Sequence, residues 1–351
     1  MKTSRQKKGK SERRMELKRI KKLITAALLA TFVLSATACG MIEKTPEAIA
    51  KSAVAKVNGV KITRGELDAN PSTIQLIATI ESYYGEDYQS NEDAMSYLKT
   101  QKTSILQQMI TEELVLQKAK ELNIGQDEAT VQKEIDAKYE EIKSGYATED
   151  EFATALSSSG FDTDSFKAYL KDQIIIEKVT TEISKDAAVT DQEVQDYYDA
   201  NPYSYTESPN TIHTAHILLA TEDEAKAVKA RLDAGEDFAA VAKEKSTDTS
   251  NSENGGDLGT VNYVDSGFDE TFMAAAIALK AGEISQPVQT TFGYHIIKCI
   301  EKTEYPVKAF DTVKAEIKQT LLDDAKSEAI TNKITEWTDA ANIKTYEDNI
   351  M

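Results

Sequence analysis

The chain has only three histidines in 351 residues, and two of them each lead a short apolar run. His216 precedes Ile217-Leu218-Leu219, and His295 precedes Ile296-Ile297. A polar ring followed by such a run reads as a buried strand with the histidine at its start. Neighbouring central strands would bring the two imidazoles together in one small sheet. Between them, Gly255-Gly256-Asp257-Leu258-Gly259 signals a turn, with Asp257 serving the turn itself. Three helical stretches fill the rest: Thr221-Glu-Asp-Glu224 caps one through Leu232, Phe238 to Ala242 marks a second, and Phe272 to Leu279 a third. His213, the remaining histidine, reads as a surface residue.

The flanks are different. Val54–Val57 and Val60–Ile62, joined by Asn58-Gly59, predict a hairpin, and Thr63 with Glu66 predicts a capping box. From about 72 to 188 the apolar spacing is helical: Ile105, Met109, Ile110 and Leu114, then Val131 and Ile135, then Phe152 and Leu156, then Phe166, Leu170 and Ile174. Asn201-Pro202 ends a helix opened by Thr190, and 202–211 reads as a linker. After Phe310 the pattern is helical again, but too polar to stand alone. Its natural partner is the first helical region, which makes that domain discontinuous around an insert.

Composition narrows the class. Charged residues make up 28% and hydrophobic ones 40%, with formal charge −18. Residues 1–22 are strongly basic, Leu23–Leu34 is apolar, and small residues lead to Cys39. A basic region, a short apolar core and small residues before a cut form a secretory signal, too short to span a membrane. Met15 is an alternative start. The arrangement around Cys39 is similar to a bacterial lipoprotein signal, which implies lipidation of Cys39 and anchoring at a membrane surface. Removing residues 1–38, with their charge of +9, takes the formal charge from −18 to −27. So acidic a chain will not bind nucleic acid through charge. Cys299 is then the only other cysteine, a buried hydrophobe by context, so no disulfide framework or cysteine metal site can be built.

Residues 212–301 resemble the parvulin-type peptidyl-prolyl isomerases. The matching pieces are His216-Ile-Leu-Leu219, Asp237-Phe238-Ala239, Gly255-Gly-Asp-Leu-Gly259, Phe272, Leu279, Gly282-Glu283, Pro287-Val288 and Phe292-Gly-Tyr-His-Ile-Ile297. With the leader and the helical flanks, the chain is similar to PrsA-like foldase lipoproteins. The resemblance implies an α+β protein. A helical chaperone-like domain is formed by N- and C-terminal segments, and a parvulin domain with a four-stranded antiparallel sheet surrounded by helices is inserted into it. The expected organisation is signal 1–38, tether 39–53, helical domain 54–201, linker 202–211, isomerase domain 212–302 and returning helix 307–351.

The same resemblance implies the site. His216 and His295 match the paired histidines, and Thr290 matches a hydroxyl bonded between them. Leu258, Phe268 and Phe272 match the cup for the proline ring, with Phe292 at the mouth. An acidic position facing the substrate carbonyl falls on Asp248 by its Ser-Thr-Asp context, or on Thr249 if residues are counted back without a gap.

Prolyl isomerisation breaks no bond, so neither cofactor nor metal is expected. The barrier is roughly 18–20 kcal/mol of amide resonance, and a catalyst need only favour the twisted amide. The implied function is a membrane-anchored, extracytoplasmic isomerase acting on unfolded exported proteins with X–Pro bonds. A possible homodimer would form through the helical domain. The alternative is a non-catalytic holdase that keeps the parvulin domain as scaffold, with exposed members of Tyr83-Tyr84 and Tyr197-Tyr198 holding clients. No nucleophile-elbow pattern supports a hydrolase, and the repeated strand–helix units of a transporter's binding lipoprotein are missing.

Overall fold

The computed structural model describes residues 45–351. The basic leader, its apolar run and Cys39 lie outside the described residues. Residues 45–51 form a unit of their own, in which the Thr45 hydroxyl accepts the Ala48 N–H (3.2 Å) and caps helix α1 (Pro46–Ala50). The stretch expected only as a tether thus contains a short helix, with proline at its favoured first position.

Strands β1 (Ala53–Val57) and β2 (Val60–Thr63) form the hairpin. Its turn places Asn58 at φ 51° and Gly59 at φ 93°, a conformation few other residue types accept. Thr63 and Glu66 then complete the capping box of α2 (Arg64–Ala69). Helices α3 (Pro71–Tyr84), α4 (Glu92–Glu121), α5 (Glu128–Ser144), α6 (Glu149–Ser158), α7 (Thr163–Ser184) and α8 (Asp191–Ala200) follow. The long α4 buries Leu98, Leu106, Ile110, Leu114 and Val115 along one stripe. From Leu106 to Val115 that stripe meets Val54 and Val57 of β1 and Ile175 and Val179 of α7 in one core, while Leu98 packs with Ile80 and Tyr88.

The chain leaves this lobe at Ala200 and returns to it a hundred residues later. Helix α12 (Phe310–Ala340) buries Val313 and Ile317 beside Val194 of α8, and Trp337 in the core of β1 and α4. Beyond the expected helix there is one more strand, β7 (Ile343–Thr345), which pairs antiparallel with β1 to give the order β2-β1-β7. The first and last parts of the chain therefore share both a helical core and a sheet. The outgoing crossing, expected as a plain linker over 202–211, forms a strap with the returning chain. Pro202–Tyr205 is a 3-10 turn, Thr206 pairs with Val307, and the Lys308 N–H donates to the Tyr205 carbonyl (2.7 Å).

The inserted lobe holds β3 (Thr211–Leu219), α9 (Glu222–Asp233), α10 (Phe238–Lys245), β4 (Asp257–Asn262), α11 (Glu270–Ala278), β5 (Val288–Thr290) and β6 (Gly293–Thr303). Its sheet runs β4-β3-β6-β5, antiparallel throughout. One face carries Ala215, Ile217, Leu219 and Ile296 against α9 and α10. The other carries Ile212, Ile297 and Cys299 against Phe272, Met273 and Ala276 of α11. Successive strand residues face opposite ways, so this second face also receives both catalytic-candidate histidines. The strands extend further than the apolar runs alone suggested: His216 is the sixth residue of β3, not its first. Polar residues from Thr211 to Thr214 join the strand because β4 and β6 flank it and satisfy its backbone on both sides.

Candidate active site

The register of two central strands sets the site. His216 stands opposite Ile297 and Leu218 opposite His295, so the histidines are diagonal neighbours on one face. Their rings stack at 5.2 Å with Nδ1 facing Nδ1 at 3.0 Å, and each residue is only 5% exposed. Phe272 sets its ring edge-on to both, 5.9 Å from His216 and 5.2 Å from His295.

The acid arrives on the loop between α10 and β4. Ser246 Oγ accepts the Leu218 N–H, and the Thr247 N–H donates to the Leu218 carbonyl (2.8 Å), which pins the loop to β3. At its far end the His216 N–H donates to the Gly256 carbonyl (2.8 Å). Gly256 has φ 77°, and a Cβ there would sit 2.0 Å from the His216 carbonyl oxygen. The double glycine thus lets loop and strand backbone touch. Between these anchors, Asp248 Oδ2 lies 3.0 Å from His216 Nε2. Its carboxylate also accepts from Asn251 Nδ2 (2.6 Å), Ser250 Oγ (2.6 Å) and the Ser250 N–H (3.0 Å). Thr249 lines the same cavity without a place in this network.

On the other side, Thr290 Oγ1 lies 2.8 Å from His295 Nε2. The hydroxyl therefore stands beyond His295, not between the two rings. The rings bond to each other directly because the register leaves no room for a third group.

Proton positions follow from this order. Burial alone would raise the Asp248 carboxyl, but the bonds from Ser250, Asn251 and His216 outweigh it and hold it at about 2. It is ionised and can only accept, so His216 Nε2 carries the proton. Burial lowers the His216 pKa against the pull of Asp248, and burial together with His216 lowers His295 to about 4. Both rings are neutral at pH 7. His216 Nδ1 is then bare and accepts from His295 Nδ1–H, and His295 Nε2 accepts from the Thr290 hydroxyl. Every proton in the row Thr290–His295–His216–Asp248 points toward the carboxylate. Asn251 Nδ2, 3.2 Å from His216 Nε2, is a close neighbour there and bonds to the acid.

Above the row opens a cavity of about 460 Å³. Leu258, Phe268, Phe272 and Phe292 line it together with His216, His295, Asp248 and Leu218. Phe272 is buried beneath Phe268 (5.6 Å), while Phe292 is 73% exposed at the mouth. Of the sequence-predicted site residues, His216, Asp248, Leu258, Phe268, Phe272, Phe292 and His295 line this one cavity, and Thr290 joins them only through its bond to His295; Cys39 lies outside the described residues.

The sequence reading missed Asn251, Ser250 and Leu218. Asp248-Thr-Ser250 carries the signature of an Asx turn and could have been found. Asn251 carries no such signal. His213, expected at the surface, is half-buried instead: Asp257 Oδ1 accepts from the Gly259 N–H (2.7 Å) and meets His213 Nε2 at 2.8 Å. The pairing of β3 with β4 brings the two together: His213 stands opposite Thr260, and the register shift that follows puts Asp257 opposite Ala215.

Two buried imidazoles, a held carboxylate and an apolar cup thus meet at one cavity. Residues 211–301 match the family model of the PPIC-type peptidyl-prolyl isomerase domain, which defines the class of the inserted lobe. Residues 12–180 match the SurA-like N-terminal domain. The chain is 53% identical to the foldase protein PrsA of Clostridium kluyveri over 341 residues, covering 95% of this chain and all of that one. It is 52% identical to the PrsA of Clostridium botulinum strain Okra over 336 residues, with the same coverage. A solved peptidylprolyl isomerase, PrsA of Bacillus cereus, aligns over 86% of this chain and 96% of its own at 23% identity, with TM-score 0.37. The chain belongs to the PrsA family of foldases, and its inserted lobe is a parvulin-type isomerase.

Proposed function

We propose that the protein is a lipid-anchored foldase that isomerises X–Pro bonds of exported, partly folded proteins, with His216, Asp248, Thr290 and His295 as its polar row. The observation that carries this reading is that row itself, lying directly under an apolar cavity. The proline ring enters the cup of Leu258, Phe268 and Phe272, and that side of the amide is held while the other turns. Burial of the amide removes the water that favours its planar, charge-separated form. The Asp248 carboxylate, at the end of a row of aligned dipoles, places negative charge where the planar amide carries a partly negative carbonyl oxygen. This penalises the planar form more than the twisted one, and differential stabilisation of about 1.4 kcal/mol gives tenfold in rate. The histidines and Thr290 act by orienting and polarising the acid, and no proton needs to move.

The anchor belongs to the same reading and rests on the leader and Cys39. Among the described residues no helix is long and apolar enough to cross a membrane. The helical lobe supports a holding role beside the catalytic one, because Tyr83 is 82% exposed next to Tyr84. Isomerisation of short X–Pro peptides by the purified protein, beside Asp248→Asn and His295→Gln, tests the reading. Acceleration by the native chain and its loss in both variants is expected; no acceleration by a folded native chain would overturn it. Detergent-phase partition of the native chain and of Cys39→Ala after export tests the anchor, and equal partition would exclude it.

A further inference from the structure

The charges around the cavity are of one sign. Among the residues that line it none is lysine or arginine, while two are aspartates, Asp248 on one wall and Asp269 on the other. Asp248 is held ionised by its own hydrogen bonds. Asp269 is the N-cap of α11, and its Oδ1 accepts from the Thr271 N–H (2.9 Å) and the Phe272 N–H (3.2 Å). That bond pattern fixes the carboxylate beside Phe268 and Phe272, at the rim of the cup. Its second oxygen, Oδ2, makes no hydrogen bond or ion pair within the described residues and remains available to a ligand. Both carboxylates act on His295 across the cavity, each opposing the fall in its pKa. They therefore reach any group bound there, through walls of low polarity that focus the field.

The geometry points to a substrate preference for this site: it selects X–Pro segments with Lys or Arg beside the proline and discriminates against Asp, Glu and phosphorylated residues there, with Asp269 as the residue that reads the charge. The inference rests on the isomerase reading of the preceding section. A proline ring seated on Phe272 brings its flanking side chain to the rim, where a cation meets the free Asp269 oxygen and an anion meets two carboxylates. Charge complementarity of this kind discriminates between ligands more strongly than it raises affinity. The acidic character of the whole chain, −18 in formal charge, acts in the same direction on encounter with a client.

The test compares kcat/KM of the full-length protein on three peptides that differ only in the residue before proline: Lys, Ala and Glu. A second series varies the residue after it. We expect Lys over Glu by about tenfold or more at low salt, with Ala between. The ratio should shrink severalfold near 1 M salt, where the Debye length falls to about 3 Å. Asp269→Asn keeps the N-cap, since Asn caps as well as Asp, and should lower the Lys-to-Glu ratio at least threefold. Asp269→Lys should invert the ratio. Acceleration of all three peptides with Glu equal to or above Lys in both series would refute the preference while leaving the isomerase intact. A Lys preference unchanged in a folded Asp269→Asn would refute the role of Asp269. No acceleration of any peptide would overturn the isomerase reading and this inference with it.

Discussion

Acidification should destabilise this protein through His295, and the size of the effect can be worked out. The ring is 5% exposed, stacked on His216, and its pKa falls from the usual 6.5 to about 4. The folded state thus resists a proton that the unfolded chain accepts readily. A depressed pKa contributes stability that is fully present above pH 6.5 and is lost as pH falls toward 4. At about 1.36 kcal/mol per pH unit of displacement, the loss amounts to about 3 kcal/mol. Many carboxylates titrate in the lower part of the same window, so the contribution must be isolated by difference. Unfolding free energies would be measured by urea titration between pH 7.5 and 4, for the native chain and for His295→Gln, which cannot take the proton. The native chain should lose up to about 3 kcal/mol more than the variant, most of it between pH 6 and 4.5. Isomerase activity should stay level from pH 8 to about 5.5 and then decline, because a protonated His295 no longer accepts from Thr290. Parallel stability curves for the two chains would refute the neutral, buried histidine pair and the row of hydrogen bonds derived from it.

Three further outcomes follow from the geometry. Asp248→Asn keeps the shape of the acid but lets it donate, which disturbs the row and should lower kcat/KM by about tenfold to a hundredfold, while Thr249→Ala should change it less than twofold; peptide assays on both decide between the two positions. Gly256→Ala should cost more than about 2 kcal/mol in thermal or urea unfolding, because φ 77° disfavours a side chain and the added carbon would meet the His216 carbonyl. In the helical lobe, Lys102 is 2% exposed and paired with Asp68, and burial lowers its pKa. Asp68→Asn should therefore destabilise by about 2–4 kcal/mol, and replacing Lys102 by Met in that variant should recover most of the loss, as read by the urea midpoint.

Much of the fold is local and could be read from the chain. The capping boxes at Thr63, Thr190 and Thr221 and the Asn58-Gly59 turn are encoded within four residues, and each forms as expected. The helical stripes of α4, α5 and α7 follow from apolar spacing alone. The fold class and the isomerase lobe were legible through many short matches in fixed order. Where the expectations missed, the missing information was non-local. The apolar runs at His216 and His295 could not show that their strands begin earlier or run further, because a polar residue joins a strand only when neighbours on both sides satisfy its backbone. β7 is three residues long and has no pattern of its own; β1 makes it a strand.

What the sequence by itself determined is the inventory: two histidines with their apolar runs, an acid at 248, a hydroxyl at 290, aromatics for a cup and a discontinuous helical frame. The order in which those groups bond was decided only by the tertiary structure. His216 and His295 are 79 residues apart, and the pairing of Leu218 with His295 is what sets their rings diagonal and in contact. A slip of one residue would send one ring to the opposite face. The pairing of β5 with β6 leaves Thr290 outside the pair, and the loop pinned to β3 gives Asn251 a place beside the acid. Composition and spacing act along the chain, whereas a hydrogen-bonded row depends on ångström distances across it, and those exist only once the sheet has closed.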